Sequence, residues 1–89
     1  VHLLEDVVLR DASARVAAAL LELGDGEGEL RLPMQKQDLA SHLNLTSETF
    51  SRTLRRFEEM GLIATAAGQR LRILQREQLE SIAAEGTRA

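Results

Sequence analysis

Cysteine, tryptophan and tyrosine are absent from these 89 residues, and only two Phe and one Pro occur. Without cysteine there can be no disulfide framework, no thiolate zinc finger and no thiolate-held iron–sulfur cluster. A reducing cytoplasm is compatible with that and is the expected location. With so few aromatic side chains the core has to come from Leu, Ile, Val and Ala, which suits short helices around a small hairpin. No stretch reaches the roughly 20 apolar residues of a membrane-spanning helix, and the first residues lack the basic start and apolar run of a signal peptide, so the segment reads as soluble. Apolar residues make up 44% of the chain. That fills one compact core and leaves no room for a second full domain.

Positive charge is also scarce: 11 Lys and Arg stand against 14 Asp and Glu, a net charge of −3. Affinity for a polyanion rests on cations displacing counterions, so this total argues against nucleic acid as a partner. The distribution argues the other way. Val1 to Gln35 hold three basic and seven acidic residues, a net −4, and Glu77 to Ala89 come to −2. Between them, Lys36, Arg52, Arg55, Arg56, Arg70, Arg72 and Arg76 outweigh Asp38, Glu48, Glu58 and Glu59 by +3.

Leu3, Leu4, Val7 and Val8 form an apolar stripe at helical spacing that is too short to stand alone and reads as the end of something longer. Arg10-Asp11 interrupts it, and Asp11 is expected to cap a new helix from about Ala12 to Leu23, with Val16, Leu20 and Leu23 on one face and Gly24 at its end. A flexible acidic loop, Gly24 to Gly28, leads into Glu29-Leu30-Arg31-Leu32, which alternates as a half-buried strand does and is closed by Pro33. A short helix from Gln35 to Leu43 follows. The tight connection His42 to Thr46 then opens a second helix from Ser47 to about Met60, capped by Thr46 and stopped by Gly61. Leu62–Thr65 and Arg70–Leu74 read as a hairpin around Ala66-Ala67-Gly68-Gln69, although its turn chemistry is weak. A last helix from about Arg76 to Ala84 buries Leu79 and Ile82 and stops at Gly86. The fold class is mainly α with a small β-hairpin.

The informative stretch is Lys36 to Leu54. Two helices crossing steeply through so short a turn need a small residue at their contact, which Ala40 supplies, and a residue tolerant of positive φ, which Asn44 supplies less readily than Gly. Leu39, Leu43, Leu45 and Phe50 can pack behind the turn. On the second helix Phe50, Leu54 and Phe57 cluster inward, while Glu48, Ser51, Arg52 and Arg55 fall on the far side, near the helix N-terminus. A helix entering the DNA major groove needs that arrangement, since Arg bonds bidentately to guanine, a carboxylate accepts from the cytosine amino group, and Ser does either. In the hairpin, Leu71 and Ile73 alternate with Arg70 and Arg72, so an apolar pair can face the core while a basic pair faces phosphates.

Leu32-Pro33-Met34, Gln37-Asp38-Leu39-Ala40, Leu45-Thr46, Glu48-Thr49-Phe50-Ser51-Arg52 and Gly61-Leu62-Ile63 together resemble the C-terminal winged helix-turn-helix domain of the Crp/Fnr transcription regulators over nearly the whole chain. The most specific part is Glu48 to Arg52, which matches the family's E-T-[VIF]-S-R pattern. The resemblance implies a DNA-binding domain, residues 11–86, preceded by the end of a dimerisation helix or linker, residues 1–10, and followed by a tail, residues 87–89. It implies a homodimer on double-stranded DNA with RNA polymerase as a further partner, and a sensor domain upstream whose effector is unknown. Glu48 and Arg52 would contact the core of each half-site. Ser51 stands where the cyclic-AMP receptor branch has Gly, and Ser47 where it has a base-reading Arg, which favours the Fnr-like or Dnr-like branch and TTGAT-like half-sites. Lys36, Gln37, Thr46 and Thr49 correspond to phosphate contacts, beside Arg55 and Arg70. Two positions depart from the pattern, Asn44 where Gly is usual and Thr53 where an apolar residue is usual, so a slightly strained or shifted turn is expected.

Catalysis has little support. His2 and His42 are far apart, and His42 reads as a solvated or DNA-proximal residue. Asp38 and His42 are spaced to share a metal but lack a third ligand, and Asp25, Glu27 and Glu29 lack the distal Glu of a calcium loop. No catalytic residue, metal site or cofactor is expected in this segment. The rival reading is a winged helix that binds protein instead of DNA, which the net acidity favours and the shared face of Glu48, Ser51 and Arg52 does not.

Overall fold

The computed structural model describes residues 2–24 and 28–85, with the side chains of residues 2–10 and 28 left aside. The elements are α1 (His2–Leu23), β1 (Gly28–Arg31), α2 (Lys36–His42), α3 (Ser47–Glu59), β2 (Ile63–Ala66), β3 (Arg70–Ile73) and α4 (Arg76–Glu85). Apart from the start of the first helix, the expected type and order of the elements hold, with ends moved by no more than one residue. The acidic loop's Asp25 to Glu27, the stop at Gly86 and the tail lie outside the described residues.

One correction concerns the first helix. α1 runs unbroken from His2 to Leu23, so Asp11 is an interior residue and caps nothing. Its carboxylate lies 3.0 Å from the Arg15 guanidinium one turn on. The i,i+4 order of acid before base stabilises a helix from within, which removes the need for a cap where the apolar stripe lapses. From Ala12 onward Ala12, Ala14, Val16, Ala17, Ala19 and Leu20 are all buried. Small side chains over so wide a face let neighbouring helices approach closely, and α1 packs most extensively against α4. The helix ends as expected at Gly24, whose N–H donates to the Leu20 carbonyl at 3.0 Å.

The hairpin is one part of a three-stranded antiparallel sheet of order β1-β3-β2. β1 lies along β3 with Leu30 opposite Leu71, and β2 pairs on the other edge with Thr65 opposite Leu71. Leu71 is buried and Ile73 half-buried, while Arg70 and Arg72 are exposed, as the alternation required. In β2 only Ile63 is buried. Past that residue β2 is an exposed edge, while Leu71 on β3 still anchors the wing to the core. Its turn has Gly68 at φ +73 and Gln69 at φ +64. Glycine adopts that conformation without strain, whereas a side chain at the second position opposes it, which is why the turn was weakly signalled.

One apolar core serves every element: Val16 and Leu20 of α1, Leu39 and Ala40 of α2, Phe50, Leu54 and Phe57 of α3, Leu62, Ile63 and Leu71 of the sheet region, and Leu79 of α4. Thr53 is the one buried polar residue among those described, and its hydroxyl donates to the Thr49 carbonyl at 2.8 Å. That carbonyl already lies in the helical ladder, so the hydroxyl gains little by the second bond. Thr53→Val keeps the shape and removes the buried hydroxyl. It is expected to stabilise the domain by about 0.5 to 1 kcal/mol, seen as a higher urea midpoint at unchanged slope.

Candidate nucleic-acid interface

The site is assembled by two helix ends. At the end of α2 the Leu45 N–H donates to the Ala40 carbonyl at 2.8 Å and the Asn44 N–H to the Ser41 carbonyl at 3.0 Å. These are the paired bonds of a Schellman motif, which requires a left-handed residue. Asn44 takes that place with φ +60. Asparagine tolerates the conformation better than other side chains do, so the turn closes without glycine. Ala40 is fully buried at the crossing. The Arg15 guanidinium also donates to the Leu43 carbonyl at 3.0 Å, which ties α1 to the turn.

Thr46 caps α3. Its Oγ1 accepts from the Thr49 N–H at 3.1 Å and donates to the Thr49 Oγ1 at 2.9 Å. At the other end the Leu62 N–H donates to the Phe57 carbonyl at 2.9 Å and the Gly61 N–H to the Glu58 carbonyl at 3.0 Å, a second Schellman motif, with Gly61 at φ +76. Between these ends α3 is strongly amphipathic. Phe50, Leu54 and Phe57 are buried, and Ser47, Glu48, Ser51, Arg52, Arg55 and Arg56 are exposed.

Arg52 and Glu48 pair on that exposed face, 2.9 Å apart, with their side chains 63% and 81% accessible. An exposed i,i+4 ion pair is worth only a few tenths of a kcal/mol, roughly 0.3 to 0.5. Both groups therefore remain available to an incoming partner.

Beside this face runs a groove of about 510 Å³ between the start of α2, α3 and the wing. Lys36, Gln37, Ser47, Ser51 and Arg70 line it, so five of the ten residues singled out from the sequence meet there. Glu48, Arg52 and Arg55 are on the same helix without lining the groove, and Thr46 and Thr49 form the cap at its head. Among the described residues no carboxylate lines the groove. Gln35, Thr65 and Gln69 also line it, none of them marked by the sequence pattern. Gly68 was the available signal for Gln69. Nothing local signalled Thr65, whose hydroxyl donates to Glu58 Oε2 at 2.8 Å and so links the wing to α3.

Asp38 and His42 are both exposed on α2, and among the described residues no group of three or more His, Cys, Asp or Glu is placed to hold a metal. Nor is any described helix long and apolar enough to cross a membrane.

Two helices joined through a tight turn, an exposed face at the front of the second and a basic hairpin beside it define a winged helix-turn-helix domain. Residues 14–82 match the Crp-like helix-turn-helix domain family. The chain belongs to that family, the helix-turn-helix domain of the Crp/Fnr DNA-binding transcription regulators. It is 40% identical over 74 residues to the nitrogen fixation regulation protein FixK of Rhizobium meliloti, covering 80% of this chain and 35% of that protein. It superimposes on FixK2 from Bradyrhizobium japonicum with a TM-score of 0.73 at 31% identity, over 80% of this chain and 37% of the other. DNR from Pseudomonas aeruginosa gives a TM-score of 0.74 at 34% identity, over 91% and 37%. The chain thus spans about a third of the length of these relatives.

The turn carries a stability prediction. Asn44→Ala places an ordinary side chain in the left-handed region and is expected to destabilise by about 1 kcal/mol, while Asn44→Gly leaves stability equal or higher. Chemical denaturation of the two variants checks the order, and an alanine variant as stable as the parent would contradict the strain assigned to position 44.

Proposed function

We propose that this domain reads DNA sequence by placing α3 in the major groove, with Glu48, Ser51, Arg52 and Ser47 at base edges. The observation that carries this reading is the shared exposure of Glu48, Ser51 and Arg52 at the front of α3, beside a groove without carboxylates. Lys36, Gln37, Arg70 and Arg55 contact phosphates. At the cap, the Thr46 hydroxyl is already engaged in both directions. Thr49 keeps its hydroxyl proton and is the better phosphate donor of the pair.

The site is a near-palindrome of TTGAT-like half-sites, a reading supported by the match of Glu48 to Arg52 to the family pattern. Two copies, joined through the helix that α1 continues, would set their α3 helices in successive major grooves, with half-site centres about 34 Å apart. Residues 11–86 form the DNA-binding unit in this arrangement and residues 1–10 the link to the dimer. RNA polymerase is the further partner and the cytoplasm the compartment. These extensions rest on family membership.

Anisotropy titrations of a TTGAT palindrome against a scrambled duplex of the same length test the reading. The palindrome should bind more tightly, and Arg52→Ala should lose about 1 to 3 kcal/mol per half-site together with most of the preference. Equal affinity for both duplexes at moderate salt would overturn it.

A further inference from the structure

Lys36 is the only lysine in these 89 residues, and every other Lys or Arg position is arginine. A guanidinium stays protonated at physiological pH and offers no neutral amine, so among the cations of this interface Lys36 alone can lose its charge by acylation. Lys36 is exposed at the first residue of α2 and has no ion pair or side-chain hydrogen bond among the described residues. It lines the groove with Arg70, Ser47 and Ser51. Two cations, the Ser47 and Ser51 hydroxyls and, among the described residues, no lining carboxylate attract a small phosphorylated molecule by the same charge that attracts a phosphodiester.

We propose that Lys36 is a regulatory acylation site whose acyl donor is an acyl phosphate, and that acylation weakens DNA binding. This rests on the DNA-reading function above. The deprotonated Lys36 Nζ attacks the acyl carbonyl carbon. A C–N bond forms, the C–O bond to phosphorus-bound oxygen breaks, its electron pair leaves with inorganic phosphate, and the surplus amine proton passes to solvent. Nothing is oxidised or reduced. The product is an uncharged amide where the groove previously presented a cation, so one phosphate contact per domain is lost.

The test treats the chain with acetyl phosphate, locates the acetyl group by tandem mass spectrometry and titrates the product against the TTGAT palindrome. Acetylation at Lys36 should lower affinity roughly fivefold and reduce the slope of log K against log salt by about 0.9 for each modified domain. Lys36→Gln, neutral without treatment, should show the same two changes. Lys36→Arg should keep its own untreated affinity after exposure to the donor, which subtracts any effect of the terminal amine. Unmodified chain that prefers the palindrome while its Lys36-acetylated form binds equally well would overturn the proposal and leave the DNA-reading function standing. So would Lys36 staying free under conditions that acetylate the terminal amine. Unmodified chain with no preference for the palindrome would overturn both.

Discussion

The arrangement depends on one constraint: the stripe Phe50, Leu54 and Phe57 has to be buried, and only one face of α3 can be. Both Phe side chains are essentially inaccessible, and truncating a buried Phe typically costs about 3 to 5 kcal/mol. Burying Arg52 or Glu48 in their place would take a charge out of water at several kcal/mol. The rotation of α3 about its axis is therefore set by the core. The Thr46 cap and the Gly61 stop fix its length, and Ala40 with the turn at Asn44 fixes its crossing of α2. The face that meets a partner is whatever the core leaves over, so its geometry is as rigid as the packing beneath it.

Much of this is legible in the sequence because the signals are local. Thr46 as cap, Gly61 as stop and the i, i+4, i+7 stripe of α3 each need only a few residues of context, and all three hold. Asp11 failed for the same reason in reverse. Its residue type favours a helix start, but the Arg15 partner four residues on and the buried alanines beyond it favour continuation, and packing outweighed local preference. The pairing of β1 with β3 is illegible because 38 residues lie between strands that alternate alike, so nothing local says which neighbour either takes. Thr65 was missed likewise, since its partner Glu58 belongs to another element.

Charge completes what packing begins. The chain is acidic overall, yet Asp11, Glu22, Glu77, Glu80 and Glu85, carried by α1 and α4, which pack on each other, do not line the groove. Lys36 and Arg70 reach it from two different elements. A polyanion near this domain meets its favourable charge at the groove and at the exposed Arg52, Arg55 and Arg56 beside it, so the net −3 does not by itself prevent contact. Acidic groups farther off than about 8 to 10 Å, the screening length at physiological to 0.1 M salt, are largely screened.

The Glu48–Arg52 pair shows why an internal contact on such a face need not compete with a partner. Held to each other, the two side chains lose part of their rotamer freedom before any ligand arrives, which reduces the ordering entropy left for binding. The bond that holds them is worth only about 0.3 to 0.5 kcal/mol in water, while a bidentate arginine–guanine contact discriminates by about 1 to 3 kcal/mol. In the proposed complex the stronger interaction wins, and Glu48, 81% accessible, is released to its own base edge without ever being a buried unpaired charge. A carboxylate one turn before the guanidinium therefore serves as a weak rest position for it, which orders the face while leaving it free to engage.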